Sequence, residues 1–271
     1  QMFQFAAGYS IAKRKNVNLI MDLSWLDSRN LHNGFELEKV FNVYSKVNFL
    51  KKDLTFRKIN FGKYLSKIDF TLKTFNEPHY HYTSEILNIS KHTFIKGYWQ
   101  SELYFKDYSN EIRKIFKFQI KENLNNALII DKINKTNSIS IHIRRGDYLS
   151  KENINHYIDL RSFYLKAADD ISKKIDNPQY FIFSDDRKWV NKNFNFNYPY
   201  TIIDTNYGEY AFYDMYLMSL CKFNIIANSS FSWWGAWLNS RNNKIVYAPK
   251  YWFKDQTIST NDLYPNNWKI I

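Results

Sequence analysis

The second half of the chain alternates short apolar runs with longer amphipathic segments, and this alternation constrains the fold more than any other feature. Residues 138–144 alternate isoleucines with polar residues, and residues 179–186 contain a continuous apolar run followed by two aspartates. Further strand-like runs lie at residues 200–204, 224–230 and 243–250, with helical spacing over residues 161–175, 209–223 and 231–240. Strands that alternate with helices predict an α/β fold whose C-terminal half is a doubly wound parallel sheet.

The first half of the chain has a weaker pattern. A helix is predicted over residues 1–15, followed by a strand that ends at Asp22, whereas residues 25–95 are rich in aromatic side chains and show no clear period. A strand-like run follows at residues 94–105 and a helix at residues 109–123. We therefore predict two α/β domains, residues 1–137 and residues 138–271.

Polar side chains follow each predicted strand of the second half at its C-terminal end. In open α/β sheets, ligands bind in the crevice beyond the carboxyl ends of the strands, so these side chains predict a binding site at one edge of the sheet. They are His142, Arg144, Arg145, Ser184, Asp185, Asp186, Asp204, Asn228, Ser229, Ser230 and Lys250.

Composition narrows the class of partner and the compartment. The chain of 271 residues carries 38 lysines and arginines against 26 aspartates and glutamates, a net charge of +12 that favours a nucleotide phosphate, an anionic membrane surface or nucleic acid. The single cysteine, Cys221, excludes an internal disulfide framework and a cysteine-based zinc site. The longest apolar runs are strand-sized, so we expect a cytoplasmic, soluble protein whose basic surface allows peripheral contact with the inner face of the membrane.

The motif HIRRGDY, residues 142–148, points to an anion-binding site. Side chains alternate along a strand, so His142 and Arg144 share one face while Arg145 begins the turn at Gly146. A planar guanidinium binds two phosphate oxygens at once and keeps its charge at any working pH. The alternatives are a structural pair between an arginine and Asp147, and an adhesion loop carrying the tripeptide RGD, which no secretory or disulfide context supports.

A second anion-binding candidate lies where a predicted strand runs into a predicted helix, at Asn228, Ser229 and Ser230. Free backbone N–H groups and hydroxyls at a helix N-terminus bind anions, and the helix dipole adds to the attraction. Serine and asparagine are also the residues preferred as ordinary helix caps, so the motif by itself does not decide between the two roles.

Three aspartates are candidates for binding roles. Asp185 and Asp186 are candidates for a metal ligand, for an acceptor of a ribose or base donor, or for a helix cap, but no two aspartates in the chain are spaced i, i+2, so no metal is expected. Asp214 lies within an otherwise apolar helix, where a buried carboxylate needs a partner. Its functional interpretation is a hydrogen bond to a donor edge such as a guanine amine.

These segments together resemble the bacterial α-1,2-fucosyltransferases of glycosyltransferase family 11. The resemblance is carried by HIRRGDY at 142–148, YFIFSDD at 180–186 and DMYLMSLCKFNIIANSSFSWWGAWLN at 214–239. The opening QMFQFAAGYSIA and the later KIVYAPKYWF and DLYPNNW are also similar. The family usually has a glycine-rich lead before QMFQ, so we expect a few residues to precede Gln1 in the complete protein.

The resemblance implies a GT-B fold, in which two Rossmann-like domains face a central cleft, with the acceptor on the side of residues 1–137 and the donor bound by residues 138–271. It also implies GDP-β-L-fucose as the donor, the 2-hydroxyl of a terminal β-galactoside glycan as the acceptor, inversion at the anomeric carbon, and neither a metal nor another cofactor. Glycan, O-antigen or lipopolysaccharide biosynthesis is the expected setting.

The resemblance also assigns roles to residues. Arg144 and Arg145 match arginines that grip the diphosphate, His142 matches the histidine at the nucleotide, and Asp214 and Ser230 match positions that meet guanine and the β-phosphate. The predicted donor-binding set is His142, Arg144, Arg145, Asp185, Asp214, Asn228, Ser229, Ser230 and Phe231. Catalysis is assigned to Arg145 with a carboxylate base, either Asp147 or Glu152, which lies where related α-1,6 enzymes place an essential carboxylate.

Two alternatives stay open. The same donor serves other linkages in related enzymes, such as α-1,6. A basic nucleic-acid-binding protein is the alternative from another class; it predicts clustered basic residues interleaved with exposed aromatics, whereas the lysines here are dispersed.

Overall fold

The computed structural model describes residues 1–23, 34–43, 47–50, 73–121 and 123–271. The chain divides into two compact units, residues 1–119 with 261–263 and residues 120–260 with 264–271. The division therefore falls one helix earlier than the predicted boundary at residues 137 and 138. Much of the aromatic-rich segment 25–95 lies outside the described residues.

The first unit combines helices with two pairs of parallel strands. Helix α1 (Met2–Lys15) confirms the predicted opening helix and ends at Asn16, which adopts a left-handed conformation with φ 53°. Strand β1 (Ile20–Asp22) pairs in parallel with β2 (Asn48–Leu50), and β3 (Lys73–Asn76) pairs in parallel with β4 (Thr93–Lys96). Two short helices, α2 (Leu37–Val40) and α3 (Ser109–Ile115), complete its α-helices among the described residues.

Helix α3 is shorter than the prediction of residues 109–123. It ends at Ile115 because the next residues turn their side chains into an aromatic cluster: Phe116 and Phe118 lie 4.9 and 5.0 Å from Phe41, measured between ring centroids. Phe118 also forms an isolated antiparallel bridge with Phe41. Tertiary packing therefore overrides the helical pattern.

The second unit is a doubly wound parallel sheet, as predicted. Its strands are β5 (Asn137–Ile143), β6 (Pro178–Ser184), β7 (Tyr200–Ile202), β8 (Phe223–Ile225), β9 (Val246–Ala248) and β10 (Lys269–Ile270). Their order is β10-β9-β8-β5-β6-β7, and every pairing is parallel. The α/β class and the parallel C-terminal sheet are confirmed.

Helices connect these strands. They are α4 (Leu124–Lys135), α5 (Arg161–Ser172), α6 (Arg187–Asn193), α7 (Phe212–Leu220) and α8 (Ser230–Leu238). Single 3-10 turns lie at Ser84–Asn88, Glu102–Tyr104, Lys106–Tyr108, Asp147–Leu149, Ile154–His156 and Gly208–Tyr210. Helix α4 was not predicted, because its residues Leu124 and Leu128 are 77% and 66% exposed and leave no clear apolar stripe.

The two faces of β5 have different surroundings. Ile139, Ile141 and Ile143 pack into an apolar core with Ala167 and Ala168 of α5. The opposite face is polar: Ser140 Oγ accepts a 2.7 Å hydrogen bond from the amide of Asn224, whose own oxygen accepts one from Asn239 at 2.9 Å. Because these buried polar groups are paired, the face that carries His142 is fixed in position as firmly as the apolar one.

The strand order reverses between β5 and β8. The chain leaves β5 for β6 on one side of the sheet and later returns to β8 on the other, which makes the carboxyl ends of β5 and β8 the topological switch point. The three tryptophans of α8, Trp233, Trp234 and Trp237, are at most 2% exposed and pack inside the unit, as expected for helix–sheet packing. None of the described helices combines the length and apolarity needed to span a bilayer.

Candidate active site

The motif HIRRGDY lies at the carboxyl end of β5, where each arginine meets an aspartate of the neighbouring strand. The parallel register places Ile143 opposite Ser184, so the residues that follow come into pairs. Arg144 Nε lies 3.4 Å from Asp185 Oδ2, and Arg145 Nη1 lies 2.6 Å from Asp186 Oδ2. The adjacent arginines and adjacent aspartates are therefore matched across the strands, one pair on each side of the chain.

Asp185 organises the turn that follows β5. Its carboxylate accepts hydrogen bonds from the backbone N–H groups of Arg145, at 2.9 Å, and Gly146. Burial opposes its charge, but the positive charge of Arg144 and these N–H groups together lower the pKa of Asp185. A Cβ atom at Gly146 would lie 2.9 Å from Asp185 Oδ2, so a larger residue here would require the Asp185 carboxylate to shift.

Asp147 and Tyr148 also contact the guanidinium of Arg144. Arg144 Nη2 donates to Asp147 Oδ2 at 2.7 Å, and the guanidinium lies over the ring of Tyr148, 5.6 Å from its centroid. The structural Arg–Asp pair considered from the sequence is thus present. The Nε atoms of both Arg144 and Arg145 are buried and without a hydrogen-bond partner among the described residues. A guanidinium carries five N–H donors, and the contacts with Asp147, Asp185 and Asp186 use only some of them, so each group keeps donor capacity for a ligand.

Arg145 contacts the start of α6 through Asp186 and Trp189. Asp186 Oδ1 accepts from the backbone N–H of Trp189 at 3.1 Å, which confirms its predicted role as the helix cap. The guanidinium of Arg145 stacks over the ring of Trp189, 4.7 Å from its centroid. Trp189 was not recognised from the sequence, since an aromatic residue in an amphipathic helix normally indicates packing.

His142 lies within β5, just before the two arginines, and is 3% exposed. Burial, reinforced by the positive charge of Arg144, lowers the pKa of His142 to about 3, so the imidazole is neutral at any working pH. Its Nδ1 has no hydrogen-bond partner in the part of the chain that the structure describes. The ring lies 5.6 Å from that of Phe231 at the start of α8, which brings two predicted site residues together.

The N-terminus of α8 completes the site. Ser229 is its cap residue but makes no side-chain cap hydrogen bond; its hydroxyl instead pairs with Tyr148. Ser230 is exposed at the first helical position. The first intrahelical bond runs from Trp233 N–H to Ser229 O at 3.0 Å, so the N–H groups before Trp233 have no partner within the helix. Such an end favours an anion.

Asn228 holds two loops together. Its amide nitrogen donates to the backbone carbonyls of His156, at 2.7 Å, and Trp252, at 2.8 Å. The backbone carbonyl of Asn228 accepts a hydrogen bond from the Tyr148 hydroxyl at 3.0 Å. The structure therefore gives Asn228 a positioning role in the loops that follow β5 and β9; its predicted contact with the donor stays a prediction.

Asp214 is buried at the first turn of α7 with two partners that sequence reasoning missed. Asn206 donates to Oδ1 at 2.8 Å, and Arg187 Nη2 lies 3.2 Å from Oδ2. Burial outweighs both partners and raises the pKa of Asp214 to about 7. Arg187 also donates to the carbonyls of Ile203 and Asn206 and lies 4.0 Å from the ring centroid of Tyr207. The apolar helix pattern predicted a partner for Asp214 but not its identity.

The two candidate bases have different environments. Asp147 is paired with Arg144 inside the site. Glu152 lies on an exposed turn, where hydrogen bonds from its own backbone N–H and the Ser150 hydroxyl lower the pKa of its carboxylate. The described residues include no group of three histidine, cysteine, aspartate or glutamate side chains that could hold a metal ion.

An α/β sheet with arginines and an open helix N-terminus at its switch point has the charge and the N–H donors that favour an anionic ligand. The family model "Glycosyl transferase family 11" matches residues 36–271, and the chain belongs to this family; it is a glycosyltransferase.

Relatives agree with this membership. An α-1,2-colitosyltransferase of Escherichia coli is 35% identical over 99% of this chain and 93% of its own length. The O-antigen biosynthesis glycosyltransferase WbnK of Escherichia coli is 32% identical over 93% of this chain and 91% of its own length. Among solved structures, the α-1,6-fucosyltransferase NodZ soaked with GDP-fucose is 15% identical, with a TM-score of 0.48 over 88% of this chain and 87% of its own.

Proposed function

We propose that this enzyme transfers L-fucose from GDP-β-L-fucose to the 2-hydroxyl of a terminal β-galactoside, with inversion at the anomeric carbon, in O-antigen biosynthesis. The observation that carries the proposal is the position of Arg144 at the switch point, linked through Tyr148 to the open N-terminus of α8. This arrangement supplies positive charge and N–H donors to the same side of the sheet, as a sugar diphosphate requires.

The proposed reaction is a single in-line displacement. The galactose 2-hydroxyl oxygen forms a bond to the anomeric carbon of fucose as the bond from that carbon to the β-phosphate oxygen breaks. The hydroxyl proton passes to a carboxylate, and the negative charge that develops on GDP is stabilised by the guanidinium groups of Arg144 and Arg145. Asp147, Asp185 and Asp186 hold these groups in place before the donor arrives, so little reorganisation is needed.

Asp147 and Glu152 are the two candidates for the base, and the two assignments predict opposite results. If Asp147 takes the proton, Asp147→Asn should lower kcat by about 100-fold or more, a typical loss for a general base, with little change in the KM for donor. Glu152→Gln should then leave kcat within about twofold, because surface changes of this kind have small effects. Initial rates of GDP release with a β-galactoside acceptor measure both.

Other results would reassign the base. A raised donor KM with nearly normal kcat in Asp147→Asn would mean that Asp147 only positions Arg144. A large loss of kcat in Glu152→Gln would assign the proton to Glu152.

Colitosyl transfer is a second candidate, favoured by the 35% identity to the α-1,2-colitosyltransferase. Colitose is fucose without the 3-hydroxyl, so one site can be tested with both donors. Incubation with GDP-L-fucose or GDP-colitose and a panel of β-galactosides, followed by NMR of the product, identifies donor and linkage. An α-1,2-fucosyl product is expected. Exclusive use of GDP-colitose, or an α-1,6 linkage, would contradict the proposal.

A further inference from the structure

A turn in the first unit has a strained backbone that nothing in the donor site explains. It follows β4, and its residue Trp99 adopts a left-handed conformation with φ 58°, which is rare for a bulky side chain. Strained residues of this kind cluster at functional sites, because the surrounding structure must hold them in place.

Glu77, at the carboxyl end of β3, holds this turn. Its Oε2 accepts from the backbone N–H of Tyr98 at 2.6 Å and its Oε1 from that of Trp99 at 2.9 Å. A Cβ atom at Gly97 would lie 2.4 Å from the Cβ of Glu77, so the two strand ends approach as closely as glycine allows. Gln4 of α1 donates to the Gly97 carbonyl at 2.9 Å and fixes the turn from another side.

The two adjacent aromatic side chains of this turn differ in exposure. The indole of Trp99 is 1% exposed and meets the ring of Tyr104 edge-on, with centroids 5.3 Å apart. Tyr98 is 57% exposed, and its ring stacks with that of Tyr80, at 5.7 Å between centroids and 19° between planes. Beyond the carboxyl ends of two parallel strands, the exposed Tyr98 ring is thus supported by the half-buried ring of Tyr80.

The surroundings of this aromatic pair favour a neutral, polar ligand. Besides Glu77, Asp262 contributes a carboxylate to this unit, where it accepts a hydrogen bond at 2.6 Å from the backbone N–H of Tyr82, two residues after Tyr80. Negative charge at this position disfavours phosphates and nucleic acid. His79, whose Nδ1 lies 2.9 Å from the carbonyl oxygen of His81, adds a polar edge. Aromatic faces flanked by imidazole and carboxylate groups match a sugar ring, which has apolar C–H faces and a rim of hydroxyls.

We propose that Tyr98 and Tyr80 form a stacking platform for a pyranose ring of the glycan acceptor. The inference rests on the proposed function, to which it adds residues that determine acceptor affinity. Glu77 is a positioning residue, since it acts through the backbone of Tyr98 and Trp99.

Substitution of Tyr98 tests the platform. Tyr98→Ala should raise the KM for lactose as acceptor about fivefold, since aromatic contacts contribute roughly 1 kcal/mol beyond area burial. In Tyr98→Phe, which keeps the ring, the KM for lactose should stay within about twofold of the wild-type value. Phe94→Ala is the matched control, because Phe94 is an exposed aromatic residue of the same unit, on β4. Hydrolysis of GDP-fucose without acceptor should be the same in all variants. An unchanged lactose KM in Tyr98→Ala would overturn the inference.

A direct binding measurement separates this inference from the proposed function. In protein labelled with 3-fluorotyrosine, the Tyr98 resonance, assigned by its loss in Tyr98→Phe, should shift when lactose is added. A shift without any fucosyl transfer would support the platform while the proposed function fails. Fucosyl transfer to lactose without a shift would refute the platform alone.

Discussion

Arg145→Ala is expected to lower the rate of fucosyl transfer by about 100-fold or more, as the loss of one charge-stabilising donor commonly does. The alanine variant should still fold, because Asp186 continues to cap α6 through Trp189 N–H. The side chain of Arg145 is 22% exposed, so its removal creates no sealed cavity. Initial rates at saturating donor and acceptor, with far-UV circular dichroism as a check of folding, measure the effect.

Arg144→Lys should show a loss of similar size, although the charge is retained. A lysine cannot reproduce the fork that contacts Asp147 and Asp185 and still present donors to a phosphate. Arg14→Ala is the control: Arg14 is paired with Asp107 in the first unit, and its removal should leave transfer within about twofold. Nearly normal turnover in both site variants would refute the assignment of these arginines to the diphosphate.

Arg187→Met is expected to destabilise the protein by about 3 kcal/mol at pH 8, because removal of one partner leaves the buried Asp214 carboxylate without its counter-charge. The loss should be smaller at pH 5. Burial raises the pKa of Asp214 to about 7 even with Arg187 present, so at pH 5 the carboxyl group is protonated and needs no counter-charge. Urea unfolding at the two pH values measures the difference.

The free energy of unfolding of the wild-type protein should also depend on pH. An acid whose pKa is higher in the folded than in the unfolded chain takes up a proton on folding. The stability contributed by Asp214 is therefore fully present below its ordinary pKa of 3.8 and is lost as the pH rises towards 7. Asp214→Asn has nearly the same shape and keeps one acceptor oxygen, for either Asn206 or Arg187, but does not titrate. This variant should lose that pH dependence; an unchanged dependence would mean that another group causes it.

Much of the binding site could be predicted because its residues follow strands in sequence. His142, Arg144 and Arg145 follow β5 directly, and Ser229, Ser230 and Phe231 lie at the junction of β8 and α8. Parallel strands place such residues at one edge. Tyr148, Arg187, Asn206 and Trp189 were missed, since each acquires its role from a residue distant in sequence, as Arg187 does from Asp214, 27 positions away.

The strained turn at Trp99, in the first unit, also depends on a contact between residues distant in sequence. The run 94–105 indicated a strand, but the strand ends at Lys96, and the chain then turns against Glu77. The close approach of Gly97 to Glu77 has no signal in either segment alone. It results from the parallel pairing of β3 with β4, which local pattern cannot specify.

The sequence by itself determined the class of the C-terminal fold and the edge of the sheet at which the candidate site residues lie, because hydrophobic periodicity and strand-end polarity are local properties. It also determined that two arginines and a helix start would meet there. Only the tertiary structure decided what holds the arginines: the register of β5 against β6 sets Asp185 and Asp186 beside them. Register depends on the packing of whole strands, so the partner of each charge is fixed only when the sheet has formed.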